Sequence, residues 1–447
     1  MAYALRVRLS IALLALLAIS SAQGAKHVVL ISIDGFAAYH LTNEALELPN
    51  IRALAKQGVW YGSSETVFPS VTHPSHTTIV TGVSPRRHGV LNNSMTNRET
   101  GETFHPTNKA RTEIVKVPTL FDSAKKKGLK TAAFFWPETK DDPSIDFNVP
   151  EVFTPEGKGD INAVSPAILD ELKKAGVGID LYFERYGSEL AGASDVVLAE
   201  AAAYAIEKHQ PNLLAIHLLV TDKTQHEYGP HHYKSQWALS RADYCVGLLR
   251  EAARKAGIED ETVFVVTADH GFHSVYHEMN IRPAFAEAGL LDKVKLKGGG
   301  WTVSVVLPEG FSDHAALGKV FQRLLVLPNI ARIVSQDEIH SLGQPRFEES
   351  SYSSGHYLII PDIDTHLVVD SATSSMDRRP KKRPSHGHGY LPSHPRMYPS
   401  LVLSGDGVKS GVTLPHARNL DIAPTIAELL GMELADVEGE ALDEALK

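Results

Sequence analysis

The sequence predicts an α/β fold in which a doubly wound, mostly parallel sheet is flanked by helices. Apolar runs rich in β-branched residues alternate along the chain with helical patterns, and no internal repeat is evident. These runs are continuously apolar, which is typical of strands buried on both faces of a parallel sheet. The runs are HVVLISI (27–33), KTAAFFW (130–136), NLLAIHLLV (212–220) and TVFVVTA (262–268).

Helical patterns between these runs predict the flanking helices, and several of them end at glycine. They read LPNIRALAKQG, TLFDSAKKKG, SDVVLAEAAAYAIEKH, QWALSRADYCVGLLREAARKAG and NLDIAPTIAELLG. From about residue 271 to 385 the regular alternation loosens, although HAALGKVFQRLLVL predicts one more helix. We therefore expect one catalytic domain over 25–447 with a smaller subdomain inserted at about 271–385.

Composition narrows the class of protein. The 447-residue chain is 43% hydrophobic and 22% charged, which is typical of a globular protein with a sizeable core. Its formal net charge of -9 disfavours a stable complex with nucleic acid or an anionic membrane, because both would be repelled. The single cysteine, Cys245, excludes an intrachain disulfide and lies in a helical pattern typical of a buried packing residue.

The first 24 residues have the pattern of a secretory signal peptide. Arg6 and Arg8 precede an apolar run that is short for a membrane span, and small residues follow near Ala22 and Gly24. We expect cleavage there and export to the periplasm or the medium; the alternative is an uncleaved amphipathic anchor. No later apolar run is long enough to cross a bilayer.

Three predicted strands are followed by an aspartate, namely Asp34, Asp222 and Asp269. Ligands of open parallel sheets bind beyond the carboxyl ends of the strands, so these carboxylates should converge on one edge. A single aspartate after a strand is a common turn residue. Three of them in polar surroundings predict a site.

Histidines accompany these carboxylates, with His226 four residues after Asp222 and His270 directly after Asp269. The later segment SHGHGY offers His386 and His388. Among 22 histidines any one is more often structural or exposed than a ligand, but pairing with strand-end carboxylates reverses that expectation. Imidazole and carboxylate together suit zinc, although manganese and cobalt also accept such ligands, and two clusters suit a two-metal site.

The segment TVFPSVTHPSHTTIVTG (66–82) places Thr72 at the start of a helical pattern. Free N–H groups at a helix N-terminus favour an anionic oxygen or a phosphate. A threonine hydroxyl is a weak nucleophile unless a base or a metal lowers its pKa. The alternative is that Thr72 or Ser75 is a plain N-cap.

Taken in order, these segments resemble the nucleotide pyrophosphatases/phosphodiesterases, or type I phosphodiesterases, of the alkaline phosphatase superfamily. The matching pieces are ISIDGF, FPSVTHPSHTTIVTG, SPRRHGVLNNSM, FFWP, D-x-x-x-H at 222–226, TADHG and HGY at 388–390. Each piece is weak alone, but together they span nearly the whole mature chain.

The resemblance implies two zinc ions, a threonine nucleophile and an asparagine that donates to a non-bridging phosphoryl oxygen. One zinc would be held by Asp222, His226 and His388, and the other by Asp34, Thr72, Asp269 and His270. The nucleophile would be Thr72 and the donor Asn93, with Asn92 the less favoured choice. A phosphothreonine would form and then be cleaved by water, both steps proceeding in line.

The expected activity is hydrolysis of phosphodiester or pyrophosphate bonds, with a small-molecule phosphoester, such as a nucleotide, as the substrate. Resembling monoesterases place a K-x-R pair after FFWP, whereas ETKDDPSID offers only Lys140. A phosphomonoesterase, phosphonate hydrolase or phosphoryl transferase is the alternative, and a non-catalytic exported binding protein is another. Other cations for a clamp are Arg86, Arg87, Arg98, Lys109 and Arg111. Candidate base-stacking residues are Phe68, Phe135, Trp136 and Tyr233, with the alternative that Phe135 and Trp136, at the end of a buried strand, belong to the core.

Three residues depart from the family pattern beside its motifs. Ser75 stands where asparagine is common, Gln225 where glycine is usual, and Leu391 where aspartate follows HGY. Because they adjoin the predicted site, we expect them to affect substrate specificity.

Overall fold

The predicted apolar runs form the centre of one large sheet. The computed structural model describes residues 25–154, 156, 158–185, 194–370 and 375–447, so the predicted signal peptide lies outside the described residues and stays a prediction. The strands are, in chain order, β1 (His27–Ile33), β2 (Val59–Tyr61), β3 (Ser64–Glu65), β4 (Met95–Thr96), β5 (Thr103–Phe104), β6 (Thr131–Phe134), β7 (Phe147–Val149), β8 (Leu213–Leu218), β9 (Thr262–Thr267), β10 (His273–Asn280), β11 (Lys295–Gly299), β12 (Thr302–Val306), β13 (Ile330–Val334), β14 (Tyr357–Pro361), β15 (Thr365–Val368), β16 (Arg379–Gly387), β17 (Leu401–Gly405), β18 (Val412–Leu414) and β19 (Ala417–Arg418).

The helices cover most of the predicted helical patterns. They are α1 (Ala38–Leu41), α2 (Pro49–Gln57), α3 (Thr72–Thr81), α4 (Pro85–His88), α5 (Arg111–Ile114), α6 (Leu120–Lys126), α7 (Pro166–Lys174), α8 (Ile179–Arg185), α9 (Ser194–His209), α10 (Val220–Tyr228), α11 (Tyr233–Ala256), α12 (Arg282–Glu287), α13 (His314–Leu325), α14 (Gln336–Ser341) and α15 (Ile422–Leu429). Within the described residues, none is both long enough and apolar enough to cross a bilayer.

The large sheet has eight strands in the order β18-β2-β17-β9-β1-β8-β6-β7. Strand β1 pairs in parallel with β8 and β9, and β6 pairs in parallel with β8 and β7. Strand β17 runs antiparallel to both of its neighbours. The predicted fold class, a mostly parallel sheet flanked by helices, is confirmed.

Two apolar clusters cover the two faces of this sheet, and β1 contributes to both. Val29, Ile31 and Ile33 belong to one cluster, whereas Val28 and Leu30 belong to the other. Helices α9 and α11 supply the first cluster, in which the free thiol of Cys245 is buried. Helices α6 and α15 supply the second cluster. Burial on both faces explains why the strands are continuously apolar.

In the described residues four smaller sheets form outside the large one, and the two that have more than two strands fall within residues 273–387. Strands β15, β10 and β16 make the first, and β11, β12, β14 and β13 make the second. A separate apolar cluster, which runs from Met279 to Leu367, fills the space around them. This arrangement supports our proposal of an inserted subdomain at about 271–385.

Candidate metal and catalytic site

Helix α3 begins at Thr72, at the carboxyl edge of the large sheet. The N-cap residue is Val71 in extended conformation, so Thr72 is the first helical residue and not the cap. Ser75 is not a cap either, since its hydroxyl lies 2.8 Å from that of Thr66. His76, one turn later, donates through Nδ1 to the Thr72 carbonyl at 2.9 Å, and its Nε2 lies 2.9 Å from the Ser32 hydroxyl in β1. These contacts attach the start of the helix to the sheet.

A first cluster of ligand atoms joins Asp34, Asp269 and His270, which are all buried. Asp34 follows β1, and Asp269 lies two residues past the end of the neighbouring strand β9. The Nε2 atom of His270 lies 3.4 Å from Asp34 Oδ1 and 3.1 Å from Asp269 Oδ2. The other oxygen of Asp269 accepts from the backbone N–H groups of Gly35 and His270 at 3.1 and 3.0 Å. Asp269 is therefore held with one oxygen left for a ligand.

A second cluster joins Asp222, His226 and His388. Asp222 Oδ1 lies 3.3 Å from His226 Nε2 and 3.4 Å from His388 Nε2. Asp222 does not directly follow its strand, as the sequence suggested, but lies in the first turn of α10, because Val220 already begins that helix. The four-residue spacing then places Asp222 and His226 on one helix face. His270 also reaches this cluster, since its ligand atom lies within 4.8 Å of those of Asp222 and His388.

Hydrogen bonding prepares these side chains to bind cations. In each of the three histidines Nδ1 donates to a backbone carbonyl: His226 to His386 at 2.8 Å, His270 to Gly271 at 3.0 Å and His388 to Ser70 at 2.9 Å. The neutral ring then carries its lone pair on Nε2, as a metal ligand requires. His386 contributes its carbonyl here, while its ring Nδ1 lies 2.8 Å from the Ser274 hydroxyl.

Within the part of the chain that the structure describes, four buried ligand atoms have no hydrogen-bond partner, which is costly unless a cation binds them. They are Asp34 Oδ1, Asp222 Oδ1, Asp269 Oδ2 and His270 Nε2. Carboxylate and imidazole donors in this number fit zinc or a similar divalent ion. The residues present thus fit two metal ions.

The electrostatics of the clusters also favour cations. Burial raises the pKa of Asp34, and the nearby carboxylates of Asp269 and Asp222 raise it further. Burial lowers the pKa of His270, but the carboxylates around it, Asp269 first among them, outweigh burial and raise the value to about 9. Three carboxylates so close together repel one another, and a divalent cation would relieve that repulsion.

Asn93 lies beside the first turn of α3. Its Oδ1 accepts from the backbone N–H of His73 at 2.9 Å, which leaves the amide nitrogen to donate elsewhere. Asn92 is exposed, and its Oδ1 accepts from the backbone N–H of Asn93 at 2.8 Å. Of the two asparagines, Asn93 is therefore the one held next to Thr72.

Comparison with known proteins identifies the family. Residues 28–390 match the family model described as type I phosphodiesterase / nucleotide pyrophosphatase. The chain belongs to this family. All eight site residues predicted from the sequence, from Asp34 to His388, lie within the matched range.

The similar family members are distant in sequence. Human ectonucleotide pyrophosphatase/phosphodiesterase family member 1 is 25% identical over 245 residues, which is 54% of this chain and 23% of that protein. Venom phosphodiesterase 2 of Crotalus adamanteus is 26% identical over 254 residues, 56% and 27% of the two chains. Rat family member 7 is 25% identical over 260 residues, 56% and 50% of the two chains. The matched segment thus spans about a quarter to a half of these curated relatives.

Solved structures of the family share the fold. Human ectonucleotide pyrophosphatase/phosphodiesterase 5 superposes with a TM-score of 0.68 at 18% identity, covering 94% of this chain and 100% of that one. The murine protein, as an inactive variant in complex with AMP, gives a TM-score of 0.67 at 18% identity, covering 95% of this chain and 100% of that one.

The sequence analysis assigned no role to several buried polar residues that lie around the site. They are His73, His76, Glu138, Glu151 and His217. The pair of His73 Nδ1 and Glu138 Oε1 is 2.7 Å apart, and the Thr77 hydroxyl donates to Glu138 at 3.1 Å. One local signal was available, since His217 interrupts an otherwise apolar strand. The pairings themselves join residues far apart in sequence and leave no local pattern.

Two of the candidate base-stacking residues lie in the core, which was the alternative for them. Phe135 and Trp136 are fully buried and cannot stack on a base, because they belong to the apolar clusters around the sheet. Ser75 and Gln225, two of the departures from the family pattern, are also fully buried, and their expected effect on substrate specificity stays a prediction. Gln225 instead donates to the Gly35 carbonyl at 3.0 Å, beneath the first cluster.

Proposed function

We propose that this family member is a two-zinc hydrolase that cleaves phosphodiester or pyrophosphate bonds of nucleotides or related esters. The observation that carries the proposal is the position of Thr72, the first residue of α3. His388 of the second cluster donates to the Ser70 carbonyl at 2.9 Å, and His76, which donates to the Thr72 carbonyl, lies 3.8 Å from Asp269 of the first cluster. One zinc would bind Asp34, Thr72, Asp269 and His270, and the other Asp222, His226 and His388.

In this proposal the Thr72 hydroxyl attacks phosphorus, and a phosphothreonine forms as the leaving oxygen departs. Bound zinc would lower the pKa of the hydroxyl and neutralise charge on the phosphoryl group and on the leaving oxygen. The Asn93 amide nitrogen donates to a non-bridging phosphoryl oxygen, while its Oδ1 is held by the His73 N–H. Water then cleaves the phosphothreonine from the opposite side of phosphorus and regenerates the hydroxyl.

The preference for diesters is supported by the positions of the basic side chains. A monoester carries about two negative charges, and its enzymes usually add a cationic clamp. Here Arg86 pairs with Glu438 at 2.8 Å, Arg111 pairs with Asp122, and Lys140 donates to the Asn108 carbonyl at 3.1 Å. Arg98 donates to the Ser350 carbonyl. These four candidates are already engaged away from the two clusters.

Export belongs to the same proposal. The N-terminal pattern of positive charge, apolar run and small residues supports cleavage after about residue 24 and a periplasmic or secreted enzyme. Sequencing the N-terminus of the protein recovered from the medium or the periplasm tests this. A protein that retains Met1 and stays in the membrane fraction would show an uncleaved anchor instead.

The deciding experiment compares hydrolysis of bis-p-nitrophenyl phosphate and p-nitrophenyl phosphate by the zinc-loaded protein, with Thr72→Ala as the blank. We expect a preference for the diester and loss of turnover in the variant, which should still bind zinc. A preference for the monoester would instead indicate a phosphomonoesterase with the same metal ligands. Zinc binding without turnover of either ester, of pyrophosphate or of a phosphonate would indicate a binding protein.

A further inference from the structure

His217 is a buried polar residue with no role in the mechanism above. It lies in β8, where the other residues are Leu213, Leu214, Ala215, Ile216 and Leu218, and its side chain is 0% exposed. Burying an imidazole in the centre of a sheet costs free energy unless its nitrogens find partners. An apolar residue would fill this position at a lower cost, so the contacts of the ring indicate what it does.

The two ring nitrogens of His217 face two carboxylates. Its Nε2 donates to Asp34 Oδ2 at 3.1 Å, and its Nδ1 lies 3.4 Å from Glu151 Oε2. All three side chains are nearly fully buried, so water does not compete for these contacts. Because each ring nitrogen faces a different carboxylate, rotation of the imidazole would break both contacts. The ring therefore has one favoured orientation.

That orientation determines which oxygen of Asp34 is free. His217 occupies Oδ2, while Oδ1 has no hydrogen-bond partner and lies 3.4 Å from His270 Nε2. The backbone of Asp34 is fixed independently, since its N–H donates to the Leu218 carbonyl at 2.9 Å. The remaining freedom of Asp34 is rotation of its side chain, and the bond to His217 restricts it.

His217 also contacts His76, the residue that attaches the first turn of α3 to β1. Its ring centroid lies 4.1 Å from that of His76, the residue that bridges Ser32 and the Thr72 carbonyl. Ser32 is the register partner of His217 across the parallel pair β1 and β8. One imidazole thus packs between a ligand of the first cluster and the contact that holds Thr72.

We propose that His217, supported by Glu151, is a positioning residue that holds the Asp34 carboxylate in the orientation needed to bind a cation. This inference rests on the proposed function, because it takes Asp34 as a zinc ligand. Residues that orient metal ligands typically contribute about 10- to 100-fold to metal affinity. The effect should be confined to the cluster of Asp34, Asp269 and His270, since the polar partners of His217 among the described residues are Asp34 and Glu151, and neither belongs to the cluster of Asp222, His226 and His388.

The test is calorimetric titration of the full-length, metal-free protein with zinc. We expect two ions in the wild type. In His217→Phe, which keeps the ring shape and removes both polar contacts, one ion should bind about 10- to 100-fold more weakly and the other unchanged. In His217→Gln the amide nitrogen can still donate to Asp34, so most of the affinity should return. Glu151→Gln should weaken the same ion by a smaller factor.

The matched control is His209→Gln. His209 also pairs with a carboxylate, Glu171, at 2.6 Å, but on helices α9 and α7 away from the clusters. This variant should bind both ions as the wild type does. If His217→Phe fails to fold, unchanged zinc affinity in Glu151→Gln overturns the proposal.

The outcomes separate this inference from the proposed function. If the wild type binds two zinc ions and both His217→Phe and Glu151→Gln bind them equally well, the positioning role is overturned and the proposed function stands. Weakening of both ions to the same extent in His217→Phe also overturns it, because that result indicates a general structural role. Wild type that binds no zinc overturns the proposed function and this inference together.

Discussion

The imidazole rings of His270 and His388 stack face to face, with centroids 3.5 Å apart and planes 9° from parallel. His270 belongs to the cluster of Asp34 and Asp269, whereas His388 belongs to the cluster of Asp222 and His226. The stacked rings bring the two clusters into contact. The ligand atoms of Asp222, His270 and His388 accordingly lie within 4.8 Å of one another, although these residues come from both clusters.

Replacing Thr72 tests the nucleophile. Thr72→Ala should lower kcat by about 10⁴-fold or more, as loss of a nucleophile does in other hydrolases. Thr72→Ser retains a hydroxyl and should keep measurable turnover. Both variants should bind zinc at the cluster of Asp222, His226 and His388, because Thr72 is not among those ligands. Turnover in Thr72→Ala close to wild type would refute the covalent step.

Replacing Asn93 tests the donor to the phosphoryl oxygen. Asn93→Ala should lower kcat by about 10²- to 10³-fold, the usual effect of losing one such donor. Stability should change little because Asn93 is only partly buried and one neutral hydrogen bond contributes about 1 kcal/mol. Asn92→Ala is the matched control on the exposed neighbour and should retain most of the activity. Equal losses in the two variants would argue against the assignment.

The stereochemistry at phosphorus reports the number of displacement steps. Attack by Thr72 followed by attack of water inverts phosphorus twice, so a chiral phosphorothioate diester should give a product of retained configuration. The configuration of the product in isotopically labelled water can be assigned by phosphorus NMR. An inverted product would mean that water attacks the substrate directly.

Removing the metal should reduce both activity and stability. A ligand that binds only the folded state stabilises it by about 2.7 kcal/mol at 100 times its Kd. Without cations the buried carboxylates of Asp34, Asp222 and Asp269 repel one another. Burial, and after it this repulsion, raises the pKa of Asp34. Dialysis against a chelator should abolish hydrolysis and lower the Tm, and added zinc should restore both. An unchanged Tm would show that the clusters hold no stabilising ion.

His88 should make the fold sensitive to acid. Burial lowers the pKa of His88 to about 3. Both nitrogens of the neutral ring have partners, since Nδ1 accepts from the Val90 N–H at 3.2 Å and Nε2 lies 3.1 Å from the Thr78 hydroxyl. The folded-state pKa is below the unfolded value of about 6.5, so the unfolded chain binds the proton first. The stability that His88 contributes is present above about pH 6.5 and is lost as the pH falls towards about 3.

Urea unfolding at pH 6.5 and pH 5 measures this effect. Between these pH values the free energy of unfolding should fall by about 2 kcal/mol more in the wild type than in His88→Gln. The other titrating groups are common to both proteins, so their contributions cancel. Equal losses in the two proteins would contradict the assignment of the acid sensitivity to His88.

Much of the fold could be predicted from the sequence because β1, β8 and β9 are buried on both faces and therefore read as continuous apolar runs. Asp34 and Asp269 could be placed at one edge for the same reason. The element that holds Asp222 was predicted less well, since nothing in LLAIHLLVTD marks the point where β8 ends and α10 begins. A short apolar run is compatible with either element.

The buried residues that support the site could not be predicted from the sequence. His76, His217 and Glu151 are brought together by strand register and by the packing of α3, and their partners lie far away along the chain. Local patterns carry no information about such pairings. The segment that we propose to be an insertion, at about 271–385, was recognisable only as a loss of regular alternation, because its strands belong to two small sheets with exposed faces.

The proposed cation ligands extend from Asp34, just beyond β1, to His388, just beyond β16, so the site has contributions from nearly the whole chain. A nascent polypeptide cannot present the complete set until β16 has been made and has paired with β10. Metal acquisition should consequently be one of the last events in the maturation of this protein, after synthesis and folding. For an exported chain, the zinc would then come from the compartment in which folding finishes, and zinc scarcity there would yield folded but unloaded molecules.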